Sequence, residues 1–241
     1  MSWLSRLSAA GGTGRLVCLP YAGGGLLSYA DWTAWLPDGV ELWVPDLPGR
    51  EQRMLEEPVR DMDRLVRALA GELLADARPT SLFGHSLGAL VAFELARLLQ
   101  AHSHPVRCLV VSGMSAPQTL SAGPAPTDAD ILLDIRVNGS APPELYDQPE
   151  LLELLMPGLR ADYEMALTYR YREGAGLTSP VVALSGADDG EVTDENLAAW
   201  AAQSRGAFET RVWPGGHMYL REQAEEVARF VAACHLRPVG T

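Results

Sequence analysis

The stretch SLFGHSLGAL, residues 81–90, sets a serine between two glycines, Gly84-His85-Ser86-Leu87-Gly88. Glycines and serines gather at turns for ordinary backbone reasons, so G-x-S-x-G alone describes a packing serine as well as a nucleophile. Its surroundings carry more. TSLFG (80–84) is a short apolar run, and SLGALVAFELARLLQ (86–100) is apolar on most sides. That pair predicts a strand running straight into a helix buried against a sheet. A tight strand-to-helix turn needs small neighbours, because a side chain at either flank would clash. It also aims Ser86 at a helix N-terminus, where free N–H groups and the dipole favour developing negative charge.

Outward from this turn the same two patterns alternate. Five more apolar or β-branched runs predict strands: RLVCLP (15–20), ELWVPD (41–46), RCLVVSG (107–113), PVVALSG (180–186) and FETRVW (208–213). Several are apolar throughout, as strands covered on both faces of a parallel sheet should be. Helical patterns lie between them. In DMDRLVRALAGELLADA (61–77), Met62, Leu65, Val66, Leu69 and Leu73 share one face, and the acidic start suits a helix N-terminus. TDENLAAWAAQ (193–203) and REQAEEVARFVAAC (221–234) supply two more. The first has Thr193 as N-cap, but Asn196 stands where a capping box wants an acid or Gln. This order predicts an α/β fold with a mainly parallel, doubly wound sheet and right-handed crossovers. One stretch breaks the rhythm: residues 114–179 exceed what a single crossover needs. They open on SAPQTLSAGPAPTDAD (115–130) and continue into helix-like segments at 128–136, 149–156 and 159–172. We read 114–179 as a helical lid over the carboxyl edge of the sheet, inside a single domain of residues 1–241. The inserted segments look too short to enclose a core of their own.

A chain of 241 residues, 47% apolar and 21% charged, can bury a large core. Its net charge of −12 argues against nucleic acid or an anionic membrane as partner. No apolar run approaches membrane-spanning length, and no basic N-terminal stretch precedes a long apolar segment, so a cytoplasmic protein is expected. Cys18, Cys108 and Cys234 are odd in number and far apart in sequence, and read as small buried hydrophobes. GGTG (11–14) precedes a strand, the wrong side for a phosphate loop, and the acidic runs DADILLD and GADDGEVTDE lack calcium-loop spacing. No metal and no organic cofactor is expected.

In open α/β sheets ligands bind beyond the carboxyl ends of the strands, which ranks the titratable residues. A serine hydroxyl is a weak nucleophile until a base takes its proton. Of five histidines, His85 adjoins Ser86 but should point away from it at such a turn. His102 and His104 end the following helix, on the far side, and His235 lies near a disordered-looking C-terminus. His217, in WPGGHMYL, follows the last strand at the correct edge and is the candidate base. The acid that orients it should come from another strand end. SGADDGEV offers Asp188 and Asp189, of which we select Asp189. The order Ser86, Asp189, His217 is that of the α/β-hydrolase arrangement. An oxyanion hole needs two N–H donors: one from Leu87, the other from the glycine-rich loop PYAGGG (20–25).

Assembled, these residues resemble a type II thioesterase of polyketide and nonribosomal peptide synthesis, within the α/β-hydrolase superfamily. The resemblance covers residues 14–235 and rests on LPYAGGG, VPDLPGREQR, GHSLGALVAFELAR, PGLRADYEMALTYRY, LSGADDGEVTDENLAAW and WPGGHMYL. It implies nucleophile Ser86, acid Asp189, base His217 and oxyanion amides on Ala22 and Leu87, with Tyr21, Gly23 and Met218 touching substrate. It further implies hydrolysis of aberrant or stalled acyl groups from the phosphopantetheine arm of an acyl or peptidyl carrier protein, by a monomer meeting that carrier transiently. Carrier proteins are typically acidic, which makes Arg136, Arg160, Arg170 and Arg172 of the lid candidate contacts. Two stretches depart from the family pattern: Ser115-Ala116-Pro117-Gln118 where Arg-Ala-Pro-His is common, and NGSAPPE where Gly-Thr-Pro is usual. Both bear on acyl preference. The rival readings are a generic carboxylesterase or acyltransferase on the same fold, and a catalytically silent carrier-binding module.

Overall fold

A computed structural model describes residues 2–76, 78–121 and 123–237. Ala77 at the end of the predicted 61–77 helix, Ala122 in the predicted lid, and both extremes of the 1–241 unit lie outside the described residues. Seven strands form one sheet: β1 (Leu4–Arg6), β2 (Gly14–Leu19), β3 (Val40–Pro45), β4 (Thr80–His85), β5 (Leu109–Ser112), β6 (Val181–Gly186) and β7 (Phe208–Trp213). Their order is β1-β3-β2-β4-β5-β6-β7, with every neighbour parallel except β1 on β3. The six predicted strands are all present. β1 was not predicted, because three residues carry no periodic signal; its pairing with the edge of β3 makes it a strand.

The apolar runs divide by parity, as a period of two requires. Val17, Leu109, Val111, Val181 and Ala183 face one core with helices α1 (Met62–Leu74) and α2 (Leu87–Ala101). Leu16, Cys18, Val110, Val182 and Leu184 face a second core, with a 3-10 helix over Leu26–Ala34 and a C-terminal helix. Both faces are therefore buried, which is why these strands read as continuous apolar runs. Asp61 caps α1, its carboxylate accepting from the Arg64 amide at 2.6 Å. All three cysteines are free and buried, and the thiols of Cys108 and Cys234 meet in the second core.

The insertion holds α3 (Asp128–Val137) and α4 (Pro149–Thr168). Two expectations change here. The segments 149–156 and 159–172 join into one helix through Pro157, which ends at Thr168 instead of continuing. Gly158 is what that continuity serves, since the helix there packs directly on the Gly49 carbonyl oxygen. The insertion also encloses a small apolar cluster of its own, with Ile131 and Ile135 of α3 buried against Met156 and Leu159 of α4.

Beyond β6 lie α5 (Asp194–Ala198), capped by Thr193 without a capping box, then α6 (Tyr219–Glu222) and α7 (Ala224–Leu236). The predicted 221–234 helix is thus broken at Gln223. His235 belongs to α7 and is buried, its Nδ1 bonded to Ser81 Oγ at 2.9 Å. Burial, then the charge of Arg107, lowers its pKa to about 4. Unfolding must protonate it, so between pH 6.5 and 4 the unfolded chain binds more protons and stability falls as pH falls. That group is expected to remove about 3 kcal/mol over this window. Denaturant titrations at pH 7 and pH 5 on the protein and its His235→Gln variant check this, the variant giving the flatter pH dependence.

Candidate active site

β4 ends in the middle of the sheet, and the chain turns from it into α2 with Ser86 at φ 53°, ψ −123°. Non-glycine residues avoid that region at about 1–3 kcal/mol, so something must hold the turn there. The Ser86 amide donates to Ser112 O at 2.8 Å, and Ser86 O accepts from the Ala89 amide at 2.8 Å. The flanking glycines permit the close approach: a Cβ on Gly84 would overlap the Gly88 carbonyl, and one on Gly88 the Leu19 carbonyl of β2. Ser86 thus stands at the N-cap position of α2, whose first turn begins with Leu87.

Two further turns meet beside it. After β6 and β7 the loops are stitched by Asp188 N donating to Gly215 O at 2.9 Å and Ala187 N to Trp213 O at 2.7 Å. This sets His217 Nδ1–H against Asp189 Oδ2 at 3.0 Å, with side chains 6% and 0% exposed. Asp189 Oδ1 accepts from the Glu191 amide at 3.0 Å. Asp188, the other carboxylate in the run, is exposed. Burial pushes the Asp189 carboxyl up, but the hydrogen bond and charge of His217, with backbone amides, hold it below its ordinary value. Burial lowers His217, yet the Asp189 hydrogen bond and the Glu191 and Asp189 charges outweigh that and raise it above 6.5.

Glu191, with Oε2 at 3.9 Å from His217 Nδ1, escaped the sequence reading. Its only signal was its place two residues after Asp189. Glu191→Gln is expected to lower the His217 pKa and move the acid limb of kcat/KM to lower pH, since a base works when neutral. A pH–rate profile of both proteins measures the displacement.

His85 makes no hydrogen bond to Ser86. Its ring lies 4.9 Å from that of His217, fully buried, with Nδ1 2.9 Å from Ser112 Oγ. Burial, then the charges of His217 and Arg221, holds it well below the usual histidine pKa.

Ser86 and His217 line one cavity of about 320 Å³ together with residues of the insertion, including Asp134, Asn138, Tyr163 and Leu167. Tyr21, Ala22 and Leu87 line it too. Gly23 instead borders a smaller apolar cavity of about 70 Å³ that shares Ala22 and Ser140 with the first. Met218 is buried in the second core beside Tyr219 and Leu220, away from both linings. Among the described residues no cluster of three or more His, Cys, Asp or Glu has the geometry to hold a metal. The amides of Gly11 and Gly12, in the GGTG stretch, both donate to the Glu41 carboxylate at 3.0 and 3.1 Å. An internal anion fills that nest.

Sequence reading also missed what braces the PYAGGG loop. Glu51 accepts from the Leu26 and Leu27 amides at 2.8 and 2.9 Å. Arg50 reaches Gly24 O, and Asp162 of α4 reaches the Gly23 amide. These residues sit in two of the stretches that carry the resemblance, but 112 positions separate Arg50 from Asp162 and nothing local links them.

A strained serine and a buried imidazole–carboxylate pair on one cavity suit acyl transfer through a nucleophile. Comparison with known proteins gives the family. A family model for the thioesterase domain matches residues 14–234. The gramicidin S biosynthesis protein GrsT of Aneurinibacillus migulanus is 34% identical over 223 residues, 90% of this chain and 87% of that protein. Phenyloxazoline synthase MbtB of Mycobacterium tuberculosis is 34% identical over 237 residues, 96% of this chain but 17% of that much longer protein. The solved structure of the type II thioesterase BorB from the borrelidin biosynthetic cluster superposes with a TM-score of 0.88 at 35% identity, covering 98% of both chains. This chain, an α/β-hydrolase-type enzyme acting on thioesters, belongs to the thioesterase family.

Proposed function

We propose that this thioesterase clears aberrant or stalled acyl groups from the phosphopantetheine arm of acyl or peptidyl carrier proteins in polyketide or nonribosomal peptide synthesis. The observation that carries the reading is the buried Asp189–His217 pair facing the same lid-covered cavity as Ser86. Ser86 Oγ attacks the thioester carbonyl carbon while His217 Nε2 takes its proton, and the Ala22 and Leu87 amides hold the oxyanion. The tetrahedral adduct collapses, the C–S bond breaks, and His217 returns the proton to the departing pantetheine sulfur. Water, deprotonated by His217, then attacks the acyl-Ser86 ester; the acyl C–Oγ bond breaks, His217 returns the proton to Ser86 Oγ, and the carboxylic acid leaves. His217 and Asp189 do this without a metal or organic cofactor.

That GrsT is a gramicidin S biosynthesis protein and BorB a type II thioesterase from the borrelidin biosynthetic cluster supports a carrier-bound substrate. At the lid, Arg160 is engaged by Asp128 at 2.6 Å, whereas exposed Arg136 and Arg170 make no ion pair among the described residues and suit an acidic carrier better. Arg172 pairs only loosely with Asp63, at 3.3 Å. The test compares hydrolysis of a panel of acyl groups on a phosphopantetheinylated carrier with hydrolysis of simple esters. Higher kcat/KM on the carrier thioesters is expected; a clear preference for simple esters overturns the reading.

A further inference from the structure

We propose that Arg50 and Asp162 are positioning residues that make the oxyanion loop depend on a seated lid. The inference rests on the reading of the Ala22 amide as an oxyanion donor. Residues Tyr21–Gly24 form a tight turn, closed by the Gly24 amide donating to Tyr21 O at 2.9 Å. Ala22 and Gly23 are its central residues, and Gly23 at φ +78° has the value a type II turn requires at its third position. So short a turn, rich in glycine, has many alternatives open to it.

What selects this one comes from two distant elements. Asp162, on lid helix α4, accepts from the Gly23 amide through Oδ2 at 2.8 Å. Through Oδ1 it accepts from Arg50 Nη2, also at 2.8 Å, while Arg50 Nη1 donates to Gly24 O at 2.6 Å. One carboxylate and one guanidinium thus grip the first two of the three glycines that follow Ala22. Leu159, one turn earlier on α4, packs over Gly23, and Gly158 packs on the Gly49 carbonyl beside Arg50. The side chains of the pair are only 9% and 5% exposed.

A lid that lifts takes Asp162 with it. The Gly23 amide then loses its acceptor, and Arg50 is left as an unpaired, largely buried charge. Both effects oppose an open lid with an intact oxyanion turn. The clamp therefore ties transition-state stabilisation to the lid position, and catalysis follows lid seating.

The test uses the double variant Arg50→Met/Asp162→Leu, which removes both charges together and leaves no buried ion unpaired. Thermal melting and circular dichroism establish that it folds. Steady-state kinetics on an acyl-carrier thioester, and the Ki of butylboronic acid, which adds to a serine as a tetrahedral anion, read the oxyanion hole. The expected result is a kcat lower by about 10²-fold, KM changed little, and a boronate Ki raised in parallel with the kcat loss. A folded double variant with unchanged kcat and boronate Ki, or a loss confined to KM, overturns the proposal. If the double variant does not fold, hydrogen exchange on Asp162→Asn decides instead. Joint loss of protection at Gly23 and along α4 supports coupling; loss along α4 alone overturns it. Ser86→Ala separates the two levels: an active Ser86→Ala defeats the proposed chemistry, whereas an inactive one beside fully active clamp variants defeats only the clamp.

Discussion

Replacing Ser86 with alanine is expected to lower kcat on acyl-carrier thioesters about 10⁴-fold or more, with the fold and carrier binding retained. The Ser86 hydroxyl is the group proposed to form the acyl intermediate. Without it, His217 must activate water directly, and only the two amides still favour the tetrahedral state. Single-turnover assays with mass spectrometry measure both sides of this: acyl-enzyme accumulates on the parent protein and is absent from the variant. The backbone adds a second readout. Alanine keeps a Cβ at φ 53°, ψ −123° and inherits the strain of the turn. Ser86→Gly, equally inactive, is relieved of it and is expected to melt higher than Ser86→Ala, by on the order of 1 kcal/mol after glycine's own entropic cost.

Asp189→Asn is expected to cost about 10⁴-fold in kcat, and Asp188→Asn to leave the rate little changed. In the proposed mechanism the carboxylate at 189 accepts from His217 Nδ1–H, 3.0 Å away, which leaves Nε2 free to take a proton from Ser86. An asparagine amide turned toward the ring donates instead, places the proton on Nε2, and disables the base. Asp188 is exposed and contributes its backbone amide to Gly215, a contact that Asn keeps. A large loss in Asp188→Asn with a mild one in Asp189→Asn would reverse the assignment. The pH dependence separates the variants too. Asp189 sits below its ordinary pKa in the folded protein, so its stabilising contribution is present above about pH 4 and is lost as pH falls through the folded value. Asp189→Asn is expected to lack that part of the acid destabilisation.

Much of the fold is legible in single runs of residues. PVVALSG and RCLVVSG are apolar at every central position because helices cover both faces of β5 and β6, and a residue pattern records burial of that kind directly. The end of each run then marks the carboxyl edge, which placed Ser86, Asp189 and His217 together on paper. His85 was read as turned away from Ser86; the structure adds that it lies against the His217 ring, a contact between two strand ends that adjacency in sequence does not encode. β1 was invisible because three residues become a strand only by pairing with β3. Pro157-Gly158 looked like a helix break because proline forfeits one hydrogen bond, yet Gly158 gains a close seat on Gly49, and that packing term lies outside the local sequence.

The sequence by itself determined the alternation of strand and helix, the glycine-flanked serine turn, and the chain order Ser86, Asp189, His217. Each follows from local sterics and burial periodicity, which neighbouring residues carry among themselves. Only the tertiary structure shows how Asp189, chosen in sequence over Asp188, meets His217, and it alone decided that Glu191 stands beside them and that Arg50 and Asp162 grip the loop carrying Ala22. Those are contacts between side chains on separate elements, where a rotation of one residue along a turn exchanges a buried carboxylate for an exposed one.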